Sequence, residues 1–192
     1  MSRRATLLQS IADAARAIFL AQATSIAALD AGTREFRFDA VSGEGAERLL
    51  GTTFPFGQGI AGMVAQTGEA VVVDDLSTDP RFARSVAEGS GYVPTAMMVA
   101  PLLGEEDTLG VLSVLDRGRT GRSSLEELRL LGAFADQAAI ALAIGDDAER
   151  ASALPADDLA RFTRLAGRLD AAGGRRRDAA LRLLEALEDL LR

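Results

Sequence analysis

The sequence contains no cysteine, histidine or tryptophan. All 21 basic residues are arginine, so lysine is missing too, and there is no asparagine. The chain therefore cannot form a disulfide, and it has no thiol nucleophile, imidazole base or amine for Schiff-base chemistry. Zinc sites built from Cys and His are also excluded. Any catalysis by this chain would have to use Asp, Glu, Ser, Thr, Tyr or Arg.

Excess positive charge and long apolar runs are missing as well. The net charge of −7 argues against nucleic acid or an anionic membrane as a partner, because both need a surplus of basic side chains. The most apolar stretch, 133–144, is interrupted by Asp136 and Gln137, which makes it too short and too polar to span a bilayer. The N-terminal residues lack the continuous apolar segment of a signal peptide. We expect a cytoplasmic protein with no membrane partner.

What the sequence does contain is the pattern of a folded domain. At 48% hydrophobic residues, the chain can bury a sizeable core. Apolar residues spaced three and four apart predict a helix over 5–20. They are Leu8, Ile11, Ala15, Ile18 and Phe19. A short apolar run at 23–29 and an alternating segment at 35–42 predict the two strands of a hairpin.

Short elements are predicted in the middle of the chain. They are, in order, a helical turn at 46–50, a loop at 52–59, a helix at 60–67, a strand at 70–73 and a helix at 81–88. Gly68 is expected to end the helix at 60–67. Asp79 followed by Pro80 is expected to begin the helix at 81–88, with proline at the first helical position.

Two apolar segments at 95–103 and 109–115 predict a second hairpin, in which Pro101 favours an edge or irregular position. A long helix should follow, capped by Ser123 or Ser124 and ending near Ile144. Hairpins at both ends of the strand series predict an α+β fold with a central antiparallel sheet. Long helices would cover one face of this sheet, and short helices and loops would cover the other.

The remaining residues predict a helical tail. Two further helices, at 156–169 and 177–191, are expected to form a hairpin joined near 171–174. We therefore divide the chain into a domain at 1–147 and a tail at 148–192. The three arginines at 175–177 are interpreted as a solvated helix start, although a phosphate-binding patch is the alternative.

Five segments carry a resemblance to a known family. They are FGQGIAGMVAQTGE at 56–69, VVVDDLSTDPRF at 71–82, MVAPL at 98–102, LGVLSVL at 109–115 and FADQAAIAL at 134–142. Their order and spacing over 7–144 resemble the GAF domain, a ligand-sensing relative of the PAS domain. The resemblance implies a five- or six-stranded antiparallel sheet with a small-molecule pocket under the short helices and loops. It also implies dimerisation through the long terminal helices.

The residue types that the sequence lacks limit which ligands and activities of the family this chain can share. Family members that attach a bilin use a Cys, and those that bind haem use a His, so neither cofactor has its ligand here. Members that reduce free methionine sulfoxide use catalytic Cys residues, which are also absent. The cyclic-nucleotide site of the phosphodiesterase type carries Asn and Lys, so that subtype is disfavoured, although nucleotide binding through other contacts stays open.

Ten residues are predicted to bind the ligand at the pocket that the resemblance implies. They are Phe38, Phe54, Phe56, Ile60, Val64, Asp75, Phe82, Tyr92, Met98 and Ser113. For Phe54 and Phe56, a pocket wall and a tight loop over the core are equally good interpretations. Met97 and Met98 should face opposite sides of their strand, and Ser113 can face either the pocket or solvent.

The sequence supports two main hypotheses. The first is a non-enzymatic GAF sensor or regulatory module that binds a small molecule non-covalently in signal transduction or transcription control. It would be a stand-alone homodimer with a signalling protein as partner. The alternative is a ligand-free GAF scaffold, with a collapsed pocket, that dimerises or binds proteins through its terminal helices. An enzyme using only carboxylates and Arg would need two convergent acidic side chains in a cleft.

Overall fold

The computed structural model describes residues 2–30, 32–105, 107–119 and 121–153, with side chains up to Ile144. The predicted tail helices at 156–169 and 177–191, and the arginines at 175–177, lie outside the described residues. The division into 1–147 and 148–192 stays a prediction. Among the described helices, none combines the length and the apolar character needed to cross a bilayer.

The described elements are long at both ends of the series and mostly short in the middle. In chain order they are α1 (Arg3–Phe19), β1 (Ala23–Asp30), β2 (Glu35–Gly43), α2 (Ala46–Leu49), β3 (Thr53–Pro55), α3 (Gly59–Thr67), β4 (Val71–Val73), α4 (Arg84–Ser90), β5 (Met97–Leu103), β6 (Thr108–Leu115) and α5 (Ser124–Ala153). The strands form one six-stranded sheet in the order β3-β2-β1-β6-β5-β4, and every pairing is antiparallel. The predicted α+β class and both predicted hairpins are confirmed.

One face of the sheet, which we call the helix face, is covered by α1 and α5. On α1 the residues Leu8, Ala12, Ala15 and Phe19 are fully buried. Their spacing of three and four is the spacing of one helical stripe, as predicted. Ile18, predicted in the same stripe, is instead 40% exposed. The stripe therefore runs through Ala12 and leaves Ile18 at its outer margin.

Side-chain caps fix where both long helices begin. The Ser2 hydroxyl accepts a hydrogen bond from the Ala5 amide at 3.1 Å at the start of α1. Ser123 and Glu126 form a reciprocal capping box at the start of α5, with the Ser123 amide donating to Glu126 Oε2 at 2.8 Å. The predicted end of this helix near Ile144 is wrong, because α5 continues to Ala153. Gly145 weakens a helix but does not oblige it to stop.

Three local predictions are corrected or refined by the structure. The helix predicted at 81–88 begins at Arg84, because the Asp79 carboxylate is held by the Arg81 amide and guanidinium instead of capping a helix. Part of the loop predicted at 52–59 is the edge strand β3. Pro101 lies beyond the part of β5 that pairs with β4, so its missing amide proton falls where the sheet has an open edge.

Candidate functional site

The other face of the sheet, which we call the loop face, carries a second apolar cluster. Its buried members are Ala27, Phe36, Phe38, Val41, Phe54, Ile60, Val64, Ala65, Val73, Leu76, Met97, Val99 and Val111, and we call them the loop-face cluster. Phe56 and Phe82 pack against it and are partly buried. Six of the ten predicted ligand-binding residues are therefore brought together, namely Phe38, Phe54, Phe56, Ile60, Val64 and Phe82.

Phenylalanine rings form one end of the loop-face cluster. Phe36 stacks on Phe54 with ring centroids 4.9 Å apart, and Phe38 lies 5.1 Å from Phe54. Phe36 and Phe54 face each other because they are paired across β2 and β3. Phe36 was not among the predicted site residues, although its alternation with Phe38 placed both on one face. The strand β3, which was not predicted, places Phe54 against the rings of Phe36 and Phe38.

The glycines of the 56–69 segment build a tight loop that sets α3 on the sheet. Gly57 and Gly59 have φ values of +87° and +74°, which only glycine adopts readily. A Cβ on Gly62 would lie 2.4 Å from the carbonyl carbon of Gly57. Because the loop closes this tightly, Ile60 and Val64 reach the loop-face cluster. Loop geometry therefore accounts for these glycines.

Met98 is a correction. It is fully buried, but its side chain belongs to the core of the helix face together with Leu8 and Leu131. The neighbouring Met97 is the methionine that packs in the loop-face cluster. The sequence showed that the two alternate but not which one pointed to the loops. That choice depends on the register of β5 against β6 and β4.

Ser113 lies on the loop face and is 7% exposed, so of the two alternatives left open by the sequence it does not simply face solvent. Along β6 it alternates with Val111, a member of the loop-face cluster. Its partner across the strands is Ser25 of β1, which was not among the predicted site residues. The segment 23–29 predicted only an apolar strand, so the position of Ser25 opposite Ser113 emerges from the strand pairing.

Tyr92 helps to hold the loop before β5 against the end of β6. Its hydroxyl donates a hydrogen bond to the Asp116 carboxylate, which also accepts from the amides of Thr95 and Ala96, both at 2.9 Å. Burial, followed by the hydrogen bond to Asp116, raises the pKa of Tyr92 above its usual value. Burial alone would raise the pKa of Asp116, but the bonds from Tyr92 and Thr95 outweigh it and lower that pKa. Asp116 was missed because one Asp at a strand end carries no sequence signal.

Asp75 is a second correction, because it does not reach the loop-face cluster. Its side chain is exposed and accepts hydrogen bonds from the amide and hydroxyl of Ser77, at 2.9 and 2.6 Å. These bonds lower the pKa of Asp75. The turn they form carries the next residue, Leu76, into the loop-face cluster, where it is 1% exposed.

An arginine after β6 connects three elements. Arg117 donates to Asp74 Oδ1 at 2.9 Å and to Glu127 Oε2 at 2.8 Å, and we call this group the Arg117 bridge. Asp74 follows β4, whereas Glu127 lies in the first turn of α5 and is only 5% exposed. Burial opposes the charge of Arg117, but the two carboxylates outweigh it and raise the pKa of Arg117. The bridge links a loop at the loop face to the start of a long helix.

A groove of about 440 Å³ opens on the helix side of the molecule. Asp13, Arg16, Leu20 and Ser42 are among the residues that line it. None of the ten predicted ligand-binding residues lies there. In the groove the Arg16 guanidinium donates to the Gln22 carbonyl oxygen at 3.2 Å, so this side chain helps to close the turn after α1.

This sheet, with long helices on one face and short helices and loops over an aromatic cluster on the other, is the architecture that the resemblance predicted. The model of the GAF domain family matches residues 3–142. The chain belongs to the GAF domain family.

The chain is similar to domains of several different proteins. The cGMP-specific 3',5'-cyclic phosphodiesterase of Drosophila erecta is 34% identical over 84 residues, which are 43% of this chain and 7% of that protein. The GAF domain of a Coxiella burnetii phosphoenolpyruvate-protein phosphotransferase has a TM-score of 0.68 at 18% identity, covering 78% of this chain and 88% of that one. The second GAF domain of DevS from Mycobacterium smegmatis has a TM-score of 0.60 at 21% identity, covering 77% and 98%.

The sequence relatives and the solved structures support different conclusions about this chain. The chain spans less than a tenth of the length of the phosphodiesterases that it matches, so their activity does not transfer with the alignment. The two solved structures share only 18% and 21% of their residues with the chain. At that identity they show the fold and nothing about the ligand.

Proposed function

We propose that this chain is a non-enzymatic GAF sensor or regulatory module that acts in signal transduction or transcription control in the cytoplasm. It binds a small molecule non-covalently at the loop face. The absence of Cys, His and Lys supports this proposal over an enzyme. The same absence supports a ligand held without a covalent bond, and neither bilin nor haem finds its family ligand.

The observation that carries the proposal is the composition of the loop-face cluster. Its apolar side chains come from the sheet, from α3 and from the loop that holds Leu76, so sheet and cover pack against each other through apolar side chains there. A small molecule with an apolar body can replace part of this packing. Any change in the cover then reaches Asp74, two residues before Leu76, and through the Arg117 bridge the first turn of α5. Binding would act by favouring one of two arrangements of these elements.

The proposed output is a homodimer formed by the long helices, through which a signalling protein reads the ligand state. Apolar side chains remain exposed on the outer side of the helix layer. Leu7 and Ile18 of α1 are 47% and 40% exposed, and Ile140 and Ile144 of α5 are 53% and 63% exposed. Exposed apolar side chains on helices favour association with another helical surface.

A thermal-shift screen with a matched pair of variants tests ligand binding. The panel should contain cyclic nucleotides, because the phosphodiesterase relatives are named for cGMP, together with nucleobases, amino acids and aromatic acids. A ligand of the native state raises the melting temperature with its concentration. Phe54→Leu should weaken the effect of a hit, whereas Phe134→Leu, which alters an aromatic contact in the helix layer, should not. No hit in the panel, or equal loss in both variants, would contradict a loop-face site.

Sedimentation velocity with a second matched pair tests the dimer. Ile140→Glu and Leu103→Glu change side chains that are each 53% exposed, the first on α5 and the second at the end of β5. A charge in a helical interface opposes burial, so Ile140→Glu should shift the protein to monomer and Leu103→Glu should not. A wild-type monomer at high concentration would exclude the dimer.

The degree of packing favours a second candidate, the ligand-free scaffold. Phe36, Ile60, Val64 and Leu76 are between 0% and 2% exposed, as expected if the loop face needs no ligand to be filled. A scaffold would show the dimer but no hit in the thermal-shift screen. It would also bind its protein partner with an affinity that small molecules do not change.

A further inference from the structure

Two serines lie side by side in the centre of the loop face. Ser25 of β1 and Ser113 of β6 are directly paired across the two middle strands of the sheet. They are 6% and 7% exposed. Directly opposed residues of an antiparallel pair point to the same face with Cβ atoms about 4.5–5.5 Å apart. The two hydroxyls are therefore close enough to bind one small group together.

Neither hydroxyl has a hydrogen-bond partner among the residues that the structure describes, although both side chains are more than nine-tenths buried. Within the same residues, every fully enclosed side-chain oxygen has a hydrogen-bond partner. Because the two serine oxygens have none, they must keep some contact with solvent. Thr24, the neighbour of Ser25 on the helix face, is different. Its hydroxyl donates to the Ala12 carbonyl oxygen at 2.7 Å. Within the described residues the two serine hydroxyls therefore have unused donor and acceptor capacity, whereas that of Thr24 is already bonded.

The surroundings of the pair are small and uncharged. Ser25 lies between Ala23 and Ala27, the next loop-face residues of the same strand. Across the sheet the row continues from Ser25 to Val41 on one side and from Ser113 to Val99 on the other. The two hydroxyls are therefore flanked by small or apolar side chains along β1 and across the sheet.

We propose that Ser25 and Ser113 are the polar anchor of the ligand in the loop-face site, an inference that rests on the proposed function. The ligand class is a small uncharged molecule with an apolar body and an adjacent donor and acceptor on one edge, as in a cyclic amide. Each serine hydroxyl donates one hydrogen bond and accepts others, so the pair satisfies both groups at once. Met97 lies two residues from Val99, the β5 partner of Ser113, and its flexible side chain in the loop-face cluster can move to admit the ligand.

Three probes separate this anchor from a merely apolar site. The first is 2-pyridone, which carries an adjacent N–H and C=O. The second is 1-methyl-2-pyridone, which lacks the N–H, and the third is toluene, which lacks both polar groups. Titrations followed by amide NMR of the full chain give the dissociation constants. 2-Pyridone should bind most tightly and shift the amide signals around Ser25 and Ser113.

The double variant Ser25→Ala/Ser113→Ala is compared with Ser42→Ala. Ser42 is also 7% exposed, but it pairs with Thr24 and therefore lies on the helix face. The double variant should bind 2-pyridone about tenfold more weakly, the size expected for losing two hydrogen bonds. It should bind toluene as the wild type does. Ser42→Ala should leave both affinities unchanged, and retained melting temperatures would confirm that the variants fold.

The outcomes distinguish the inference from the proposed function. If toluene shifts loop-face signals but the double variant binds 2-pyridone as Ser42→Ala does, the serine anchor is wrong and the site remains. If neither 2-pyridone nor toluene shifts loop-face signals in the wild type up to its solubility limit, both the anchor and the loop-face site are wrong.

Discussion

The two faces of the same sheet are built in different ways. The helix face is covered by two long helices whose contact surface is largely alanine, including Ala12, Ala15, Ala135 and Ala138. The loop face is covered by short helices and turns that carry larger side chains, among them Ile60, Leu76 and Phe82. A layer of small side chains on long helices gives few ways to rearrange. A cover made of short elements can yield locally, which is what ligand admission requires.

The largest expected difference between the faces is in the cost of removing a phenyl ring. Phe19→Ala should destabilise the domain by about 3–5 kcal/mol, because Phe19 is fully buried and packs against the Phe134 ring. Phe54→Ala should cost less, about 2–3 kcal/mol, because Phe54 is 7% exposed and lies on the three-residue edge strand β3. Urea unfolding measures both. Equal losses would show that the loop face is as rigid as the helix face.

A glycine pair tests how tightly the loop-face cover is closed. Gly62→Ala would place a Cβ 2.4 Å from the Gly57 carbonyl carbon, and we expect a loss of about 1–3 kcal/mol from forced backbone movement. Gly132→Ala in α5 has open space around the added methyl group. Because alanine favours a helix over glycine by about 1 kcal/mol, this control should stabilise the domain. Thermal unfolding of the two variants should therefore change in opposite directions, and a neutral Gly62→Ala would refute the tight loop.

The Arg117 bridge ties the loop face to the start of the long helix α5. Glu127→Gln should cost about 1–2 kcal/mol, because it removes one charge of a largely buried ion pair. Asp74→Asn should cost less than about 1 kcal/mol, since the Asp74 side chain is 77% exposed. Hydrogen exchange gives the sharper measurement. If the bridge couples the faces, Glu127→Gln should speed exchange of the Leu76 amide, which donates to the Thr95 carbonyl oxygen. Unchanged exchange at Leu76 would mean that the bridge is only local.

The same contrast decides what could be predicted from the sequence. The helix face follows from local spacing, so Leu8, Ala15 and Phe19 were identified correctly. The loop face depends on pairing between strands that are distant in the chain. The strand β3, whose three residues carry no periodicity, was therefore not predicted, and Met98 was wrongly chosen over Met97 for the loop face. Register likewise places Ser25 opposite Ser113. Strand alternation alone leaves such positions open, because a slip of one residue reverses the face of every side chain.

Asp79 offers the smallest expected effect and tests whether the loop-face cover is held by its own short-range bonds. Hydrogen bonds from the Arg81 side chain, and then from the Arg81 amide, lower the pKa of Asp79 to about 2. A carboxyl group whose pKa falls on folding stabilises the fold above its unfolded pKa, and the contribution disappears as the pH drops through the folded value. NMR titration of Asp79 should give a midpoint near 2 in the wild type. In Arg81→Gln the midpoint should rise only part of the way toward the ordinary value, because the amide of residue 81 still donates. An unchanged midpoint would show that the guanidinium does not hold this loop.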